Sequence, residues 1–230
     1  MENQNQNKIK AVLFDMDGVI TDTEKYYYEC WPKSFHAFGY TDFTPEDALF
    51  KRSLNHADTE IWCRRRFGED IPVDQIRAYN NRCVDELIRK HGIPVKPGVR
   101  ELLAWLKQKR IKSAVVTATS YERAYQRLSQ VQLADAFDII VSASMVKRGK
   151  PHPDVYLHAC SQVNELPDSC IAIEDSPNGI LAAYRAGCRT IMVPDLTPPT
   201  EDLLPMLFAA ADSLHDVISI IEQACRENTP

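Results

Sequence analysis

No apolar run in this 230-residue chain is long enough to cross a membrane, since a membrane helix needs about 18 apolar residues in succession. The first ten residues, MENQNQNKIK, are polar and lack the apolar segment of a secretory signal. These absences predict a soluble protein of the cytoplasm without a membrane partner. The Asn- and Gln-rich start is predicted to be a short disordered tail.

An excess of positive charge is also missing. The formal net charge is −5, with 27 basic and 32 acidic residues mixed along the chain. The densest basic run, residues 64–66, is followed at once by acidic residues and is typical of a solvated helix end. Because nucleic-acid binding depends on clustered Lys and Arg, we expect no nucleic-acid partner. A monomer is the default expectation.

The spacings that mark thiolate or imidazole metal sites are absent. The seven cysteines include no CxxC pair and the six histidines no HExxH pair, so a zinc site is not expected. An odd number of scattered cysteines indicates reduced thiols in a cytoplasmic protein. Cys170 and Cys188 lie inside or beside apolar runs and are predicted core residues.

What the sequence does contain is an alternation of short apolar runs and helical patterns, interrupted once. Residues 9–14 predict a buried strand. Residues 22–91 predict three or four helices without a strand, and the Gly- and Pro-rich residues 92–98 predict a linker. The remaining predictions are helices at 98–109, 121–131, 154–163 and 177–186, and strands at 113–117, 138–141, 170–174 and 189–193.

This alternation predicts an α/β protein whose parallel sheet is covered by helices on both faces. The first strand belongs to that sheet, so the helical segment is an insertion directly behind it. We therefore expect two domains. Residues 1–21 and 93–230 would form the α/β core, and residues 22–92 would form the helical domain.

Chemically active side chains follow the predicted strands where these end. Four carboxylates, a hydroxyl group and an amine are found there: Asp15, Asp17, Glu174, Asp175, Thr117 and Lys150. Because ligands of open parallel sheets bind at the carboxyl ends of the strands, we expect these side chains to meet at one edge. Gly18 would let the backbone turn tightly enough to aim the two aspartates.

Carboxylates so close together need a cation. Like charges at such a distance repel strongly, and a hard divalent ion with oxygen ligands, Mg²⁺ above all, relieves that repulsion. A metal-bound carboxylate pair beside Lys150 and Thr117 is suited to holding a phosphoryl group. In this interpretation Asp15 is a nucleophile that forms an aspartyl-phosphate, and Asp17 is the general acid and base.

Each of these residues has a plainer interpretation when it is taken alone. The Asp-x-Asp-Gly turn begins like a calcium-binding EF-hand loop, but the sixth and twelfth positions hold Ile20 and Tyr26 instead of Gly and Glu. Thr117 could simply end a strand, Lys150 could be a solvated loop residue, and Ser176 could cap a helix. The occurrence of all of them in order, each at a strand end, favours a shared active site.

Four stretches of the chain resemble the haloacid dehalogenase superfamily, and within it the phosphatases and mutases related to β-phosphoglucomutase. They are FDMDGVITDTE at 14–24, VTATS at 116–120, GKPHPD at 149–154 and IEDSPNG at 173–179. The similarity covers essentially the whole chain, because the helical insertion lies where that subgroup has its cap domain. The resemblance implies a Rossmann-like parallel-sheet core with an inserted, mobile four-helix cap.

The resemblance also implies a role for each matching residue. Asp15 matches the nucleophile and a metal ligand, and Asp17 matches the general acid and base, whose backbone carbonyl would also bind the metal. The other implied roles are phosphate binding by Thr117, the Ala118 amide and Lys150, metal binding by Asp175 with help from Glu174, and cap hinges near Thr23 and residues 95–97. The dehalogenases of the superfamily lack an equivalent of Asp17 and need no metal, so dehalogenation is not expected.

The choice between phosphatase and mutase depends on the cap. β-Phosphoglucomutases typically carry Gly-x-Ser-Arg, whose arginine holds the distal phosphate, whereas residues 51–54 here are Lys-Arg-Ser-Leu. A cap lysine of the mutases falls near Tyr79. We therefore expect a phosphatase of small phosphorylated metabolites, with sugar phosphates as the usual substrates of such proteins. The alternative is a β-phosphoglucomutase in which Arg52 replaces the missing arginine. Arg52 and Thr119 are the candidates for substrate specificity.

Overall fold

The computed structural model describes residues 9–52 and 54–226. The expected N-terminal tail and Ser53 lie outside the described residues. The strands are β1 (Ala11–Phe14), β2 (Lys112–Thr117), β3 (Ile139–Ser142), β4 (Cys170–Glu174), β5 (Arg189–Met192) and β6 (Ala209–Ala210). The α-helices are α1 (Glu24–Ala37), α2 (Pro45–Phe50), α3 (His56–Phe67), α4 (Val73–His91), α5 (Val99–Lys109), α6 (Tyr121–Gln130), α7 (Asp154–Gln162), α8 (Pro177–Ala186) and α9 (Leu214–Arg226). Over the described ranges, none of these helices has the length and apolar character needed to cross a membrane.

The strands form one parallel sheet in the order β3-β2-β1-β4-β5-β6. β1 lies inside the sheet, and its last residue, Phe14, pairs with Val115 of β2 and with Ile173 of β4. The residues that follow these three strands therefore leave the sheet side by side at its carboxyl edge. The sequence pattern predicts five of the strands, whereas β6 consists of two alanines and is too short to show an alternation.

Helices cover both faces of the sheet, as the near-continuous apolar strands predict. On one face α5, α6 and α9 pack against Val12 and Phe14 of β1. On the other face α7 and α8 pack against Ala11 and Leu13. The buried residues of α5 recur at the three- and four-residue spacing of one helix face: Val99, Leu102, Leu103 and Leu106.

The insertion between β1 and α5 contains four helices, α1 to α4, which together are called the cap below. α1 packs along α4, and Phe35 of α1 stacks on Phe43 with ring centroids 4.0 Å apart. The chain enters and leaves the cap side by side, because Thr21 bridges to Val95. The fold is therefore the predicted α/β protein, with a Rossmann-like parallel sheet and an inserted four-helix cap.

One prediction about the cysteines is wrong. Cys30 of α1 and Cys83 of α4 form a disulfide, with Cα atoms 5.9 Å apart, so these two residues are not reduced thiols. They are 53 residues apart in sequence, and only the antiparallel packing of the two cap helices brings them together. Cys170 and Cys188 are buried free thiols, as predicted for core residues.

Candidate active site

Three buried carboxylates meet at the carboxyl edge of the sheet. Asp15 follows β1 directly, Glu174 ends β4, and Asp175 comes next in the chain. One oxygen of each carboxylate lies within 4.8 Å of the others. Gly18 makes this cluster sterically feasible: it adopts φ +96°, and a Cβ atom at that position would collide with the carboxylate of Asp175.

Lys150 reaches this cluster from the loop before α7. Its Nζ contacts Asp15 Oδ1, lies 2.6 Å from Glu174 Oε1 and donates a hydrogen bond of 3.0 Å to the carbonyl of Val116. The side chain is fully buried, which excludes the interpretation of Lys150 as a solvated loop residue. Burial by itself lowers the pKa of an amine, but Asp15 and Glu174 more than offset that effect and raise the pKa of Lys150 above its ordinary value. The lysine is therefore a fixed positive charge.

The cluster nevertheless lacks enough positive charge. Burial raises the pKa of Asp15 well above its ordinary value. Lys150 opposes this rise, whereas the neighbouring carboxylates of Glu174 and Asp175 add to it. Burial also raises the pKa of Asp175 to about 7, with Arg52 opposing it. Neither carboxylate oxygen of Asp175 accepts a hydrogen bond within the described residues. A buried set of oxygen donors with unmet charge fits a hard divalent cation such as Mg²⁺.

Asp17 lies beside the cluster, and three other side chains hold its carboxylate. The hydroxyl of Thr23 donates to Oδ1, and the hydroxyl of Thr119 donates to Oδ2 at 3.1 Å. Arg127 of α6 approaches Oδ1 with Nη1 at 3.4 Å. Thr119 also donates its backbone N–H to the hydroxyl of Thr117 at 3.0 Å, so the loop after β2 is fixed beside Asp17. Thr119 is a candidate for substrate specificity from the sequence, and in the described residues its hydroxyl is hydrogen-bonded to Asp17.

A cavity of about 220 Å³ separates the sheet edge from the cap. On the core side it is lined by five residues predicted from the sequence: Asp15, Asp17, Thr117, Ala118 and Thr119. Residues from the cap side include Glu24, Tyr27, Trp31, Lys51, Arg52 and Arg77. The volume and the polar lining suit a small metabolite.

Arg52 does belong to the site, but it points towards the acidic cluster. Its Nη2 donates to the backbone carbonyl of Asp175 at 2.9 Å and to the hydroxyl of Thr197 at 2.7 Å, and Nη1 lies 3.5 Å from Asp175 Oδ2. Tyr79, where the mutases carry a cap lysine, does not line the cavity and is partly exposed beside Phe38. Neither residue therefore reproduces the distal-phosphate arrangement of the mutases in this structure.

Several residues in or beside the cavity are not among those that the sequence predicts for the site. Glu24 ends the first matching motif, and burial together with Asp175 and Asp17 raises the pKa of its carboxyl group well above the ordinary value. The sequence signal for Glu24 is its position directly after Thr23 in that motif. Two other residues carry no such signal, because a cationic residue on or next to a helix is usually solvent-exposed. They are Lys51, which follows α2 and lines the cavity, and Arg127 of α6, which contacts Asp17 without lining the cavity.

Lys51 is buried against an aromatic ring and has no acidic partner. Its Nζ lies 3.0 Å from the ring centroid of Trp31, and none of the ion pairs found in the described ranges includes it. Burial lowers the pKa of Lys51 to about 7. The ring compensates the lost hydration of an ammonium group only in part.

We expect Lys51→Met to stabilise the fold by about 2 kcal/mol below pH 7. The unfolded chain keeps the lysine proton up to about pH 10, whereas the folded protein releases it near pH 7. The stability of the unmodified protein therefore rises with pH across that window, and the gain from the substitution shrinks over the same range. Urea unfolding of both proteins at pH 6, 8 and 10 measures the difference in their free energies of unfolding. Lys112→Met, at a lysine with an acidic partner, is the control and should not stabilise the protein.

Comparison with known proteins agrees with this geometry. The profile of the haloacid dehalogenase-like hydrolase family matches residues 12–193. A phosphorylated carbohydrates phosphatase of Thermotoga maritima is 36% identical over 187 residues, which are 80% of this chain and 84% of that protein. Hexitol phosphatase A of Escherichia coli is 32% identical over 187 residues, or 81% of this chain and 83% of that protein. The crystal structure of a β-phosphoglucomutase from Clostridium difficile has a TM-score of 0.79 and 27% identity, covering 95% of this chain and 98% of that one.

Proposed function

The chain belongs to the haloacid dehalogenase-like hydrolase family, and on that premise we propose that it is a Mg²⁺-dependent phosphatase of small phosphorylated metabolites, with sugar phosphates as substrates. The observation that carries the proposal is the position of Asp15. Its carboxylate lines the cavity and contacts Lys150, within a buried acidic cluster. The relatives named as phosphatases of carbohydrates and hexitols support the substrate class.

The acidic cluster is the proposed metal site. Asp15, Asp175 and the backbone carbonyl of Asp17 would bind Mg²⁺, and Glu174 would assist directly or through water. The ion would supply positive charge to the transferring phosphoryl group. The unmet charge around Asp175 supports this assignment.

The chain's own residues would carry the reaction. Lys150 neutralises charge on the phosphoryl group, and Thr117 and the amide of Ala118 bind its oxygens. Asp15 attacks phosphorus, and the oxygen of the leaving alcohol takes a proton from Asp17. Asp17 then takes a proton from the water that hydrolyses the aspartyl-phosphate, so that inorganic phosphate and the free carboxylate of Asp15 result.

The cap would exclude bulk water during these steps. We propose residues 1–21 and 93–230 as the core domain and residues 22–92 as the cap domain, with hinges near Thr23 and residues 95–97. The two connections run side by side: the amide of Asp22 donates to Pro94 and the amide of Lys96 donates to Ile20, both at 2.9 Å. Paired connections of this kind allow a rigid cap to rotate as one body.

The mutase remains the second candidate because the crystal structure of a β-phosphoglucomutase matches nearly the whole chain. A mutase must hold a bisphosphate at both ends. Arg52, which was to replace the missing distal ligand, is engaged with Asp175 and Thr197 instead. This arrangement favours the phosphatase.

The test is phosphate release from a panel of phosphorylated sugars, hexitols and nucleotides, with Mg²⁺ and with EDTA, beside a coupled assay for isomerisation of β-glucose 1-phosphate. Mg²⁺-dependent release without isomerisation supports the proposal. Isomerisation that needs a bisphosphate primer would establish the mutase instead. No turnover of any phosphate monoester would refute both.

We expect Asp17→Asn to reduce phosphate release by about 100- to 1000-fold, because an amide neither donates nor accepts the transferred proton. Its affinity for Mg²⁺ should change by less than about threefold, since the proposed metal contact of this residue is its backbone carbonyl. Kinetic assays and calorimetric Mg²⁺ titration measure the two effects. A variant that lost Mg²⁺ binding but retained turnover would contradict the assigned role.

A further inference from the structure

Arg127 is a buried arginine at the seam between the core and the cap. It extends from α6, a core helix, and only 4% of its surface is exposed. Its Nη1 donates to the hydroxyl of Tyr27 at 2.8 Å and lies 3.4 Å from Asp17 Oδ1. One guanidinium group therefore contacts both a cap side chain and the proposed general acid.

Asp85 is a second cap residue that lies close to the guanidinium group of Arg127. Asp85 of α4 has Oδ1 at 3.9 Å from Nη2 of Arg127, and its carboxylate accepts two hydrogen bonds from Arg123, at 2.6 and 3.2 Å. Nη2 of Arg127 has no hydrogen-bond partner within residues 9–52 and 54–226. Arg123 thus links α6 to α4 of the cap through Asp85, whereas Arg127 is held mainly by Tyr27 of α1 and by Asp17.

We propose that Arg127 is a positioning residue that holds the carboxylate of Asp17 in its proton-transfer orientation while the cap is closed. This inference rests on the proposed function, in which Asp17 is the general acid and base. Tyr27 and Asp85 belong to α1 and α4, so they move with the cap, whereas Arg127 and Asp17 stay with the core. Closure supplies the contacts that fix the guanidinium group, and the guanidinium group in turn fixes Asp17.

The planar shape of the guanidinium group is what makes this coupling work. Arginine presents several donors in a rigid fork and stays charged when it is buried, so it can bind Tyr27 and Asp17 at once. Thr23 and Thr119 also hold Asp17 through their hydroxyl groups, but neither hydroxyl is hydrogen-bonded to the side chain of Tyr27 or Asp85 in the described structure. Thr23 meets α1 through its main chain, because its carbonyl accepts the amide of Tyr27 at 3.3 Å. Arg127 is therefore the residue through which the side chain of Tyr27 affects the orientation of the Asp17 carboxylate.

The experiment compares two leaving groups. The alkoxide of a sugar must be protonated as it leaves, whereas p-nitrophenolate is stable without a proton, so only the first substrate depends on a well-placed general acid. The measured quantity is kcat/KM, which covers the steps up to formation of the phosphoenzyme. Arg127→Gln should lower kcat/KM by about 30- to 100-fold for the sugar phosphate and by less than about threefold for p-nitrophenyl phosphate.

Further variants separate positioning from a structural role. Arg127→Lys keeps the charge but cannot span both partners, so its loss should be intermediate and equally selective. Tyr27→Phe should give the same selectivity with a smaller loss, and combining Arg127→Gln with Asp17→Asn should add little to Asp17→Asn alone.

Two other arginines serve for comparison. Arg123→Gln, which removes the link to Asp85, should affect both substrates alike. Arg148→Gln, at an arginine paired with Asp154 on the surface, is the control and should change neither substrate.

The outcomes distinguish this inference from the proposed function. Equal losses for the two substrates in Arg127→Gln and Arg127→Lys would overturn the positioning role. A selective loss in those variants with unchanged Tyr27→Phe would overturn the coupling to the cap. If the unmodified enzyme is active and Asp17→Asn is selective, failure of Arg127→Gln to show selectivity removes only this inference. If Asp17→Asn is not selective, the proposed acid itself is wrong.

Discussion

Asp15→Asn is expected to lower phosphate release by more than about 10⁴-fold. An amide cannot attack phosphorus as a carboxylate does, so no aspartyl-phosphate forms. The fold should persist, because asparagine has nearly the same shape and removes a buried negative charge from a cluster that lacks positive charge. Without Mg²⁺ the variant should melt at the same temperature as the unmodified protein or higher, since burial and the neighbouring carboxylates disfavour the charged form of Asp15.

The measurements are phosphate release, thermal unfolding, and the intact mass of acid-quenched enzyme after mixing with substrate. Unmodified enzyme should acquire the mass of one phosphoryl group, and Asp15→Asn should not. Asp216→Asn, at the start of α9 and bonded to Ser213, is the matched control and should retain full activity. Turnover by Asp15→Asn near the unmodified rate would falsify the central claim.

The sequence predicted the fold well because its signals are local. The strand that ends at Phe14 is almost entirely apolar and buried on both faces, as a central parallel strand requires. The two ends of α8 are equally predictable from the sequence. Ser176 accepts a hydrogen bond from the amide of Gly179 at the start of the helix, and Gly187 ends the helix with φ +86°. Both signals depend on residues that are close together in the sequence, so the sequence alone is enough to predict them.

The sequence also predicted the core half of the site. The carboxyl-edge rule for parallel sheets places side chains that follow neighbouring strands together, and Asp15, Glu174 and Asp175 do converge. The motif that contains Lys150 predicts a site residue only together with the other motifs. Its burial and its contacts depend on the tertiary fold, which a loop sequence does not report.

The cap half of the site could not be predicted in the same way. The side chains that face the cavity depend on how four helices pack and on how the cap sits over the sheet. Arg52 was expected at the distal end of a substrate and instead contacts Asp175, while Lys51 beside it faces Trp31. The Cys30–Cys83 pair has the same origin, because no spacing rule connects cysteines on two packed helices.

Lys150→Met is expected to reduce phosphate release by at least about 1000-fold and to destabilise the protein by about 3–5 kcal/mol in the absence of Mg²⁺. Lys150 is the side chain whose ammonium group contacts both Asp15 and Glu174. Methionine fills much the same volume, so the loss reflects missing charge more than a cavity. Two buried carboxylates then lack their shared cation, and they become costly to keep ionised.

Urea unfolding with and without Mg²⁺ separates the two effects. A divalent ion in the acidic cluster compensates part of the lost charge, so Mg²⁺ should stabilise Lys150→Met more than it stabilises the unmodified protein. Activity should not return with it, because a metal at the carboxylates would not take over the proposed role of the ammonium group in binding the phosphoryl oxygens. Lys112→Met is the control, because it removes a partly exposed lysine that is hydrogen-bonded to Val163 and Glu165. It should change phosphate release and the free energy of unfolding only slightly. Full activity in Lys150→Met would mean that this lysine only neutralises the carboxylates, and phosphate binding would then rest on Thr117 and the Ala118 amide.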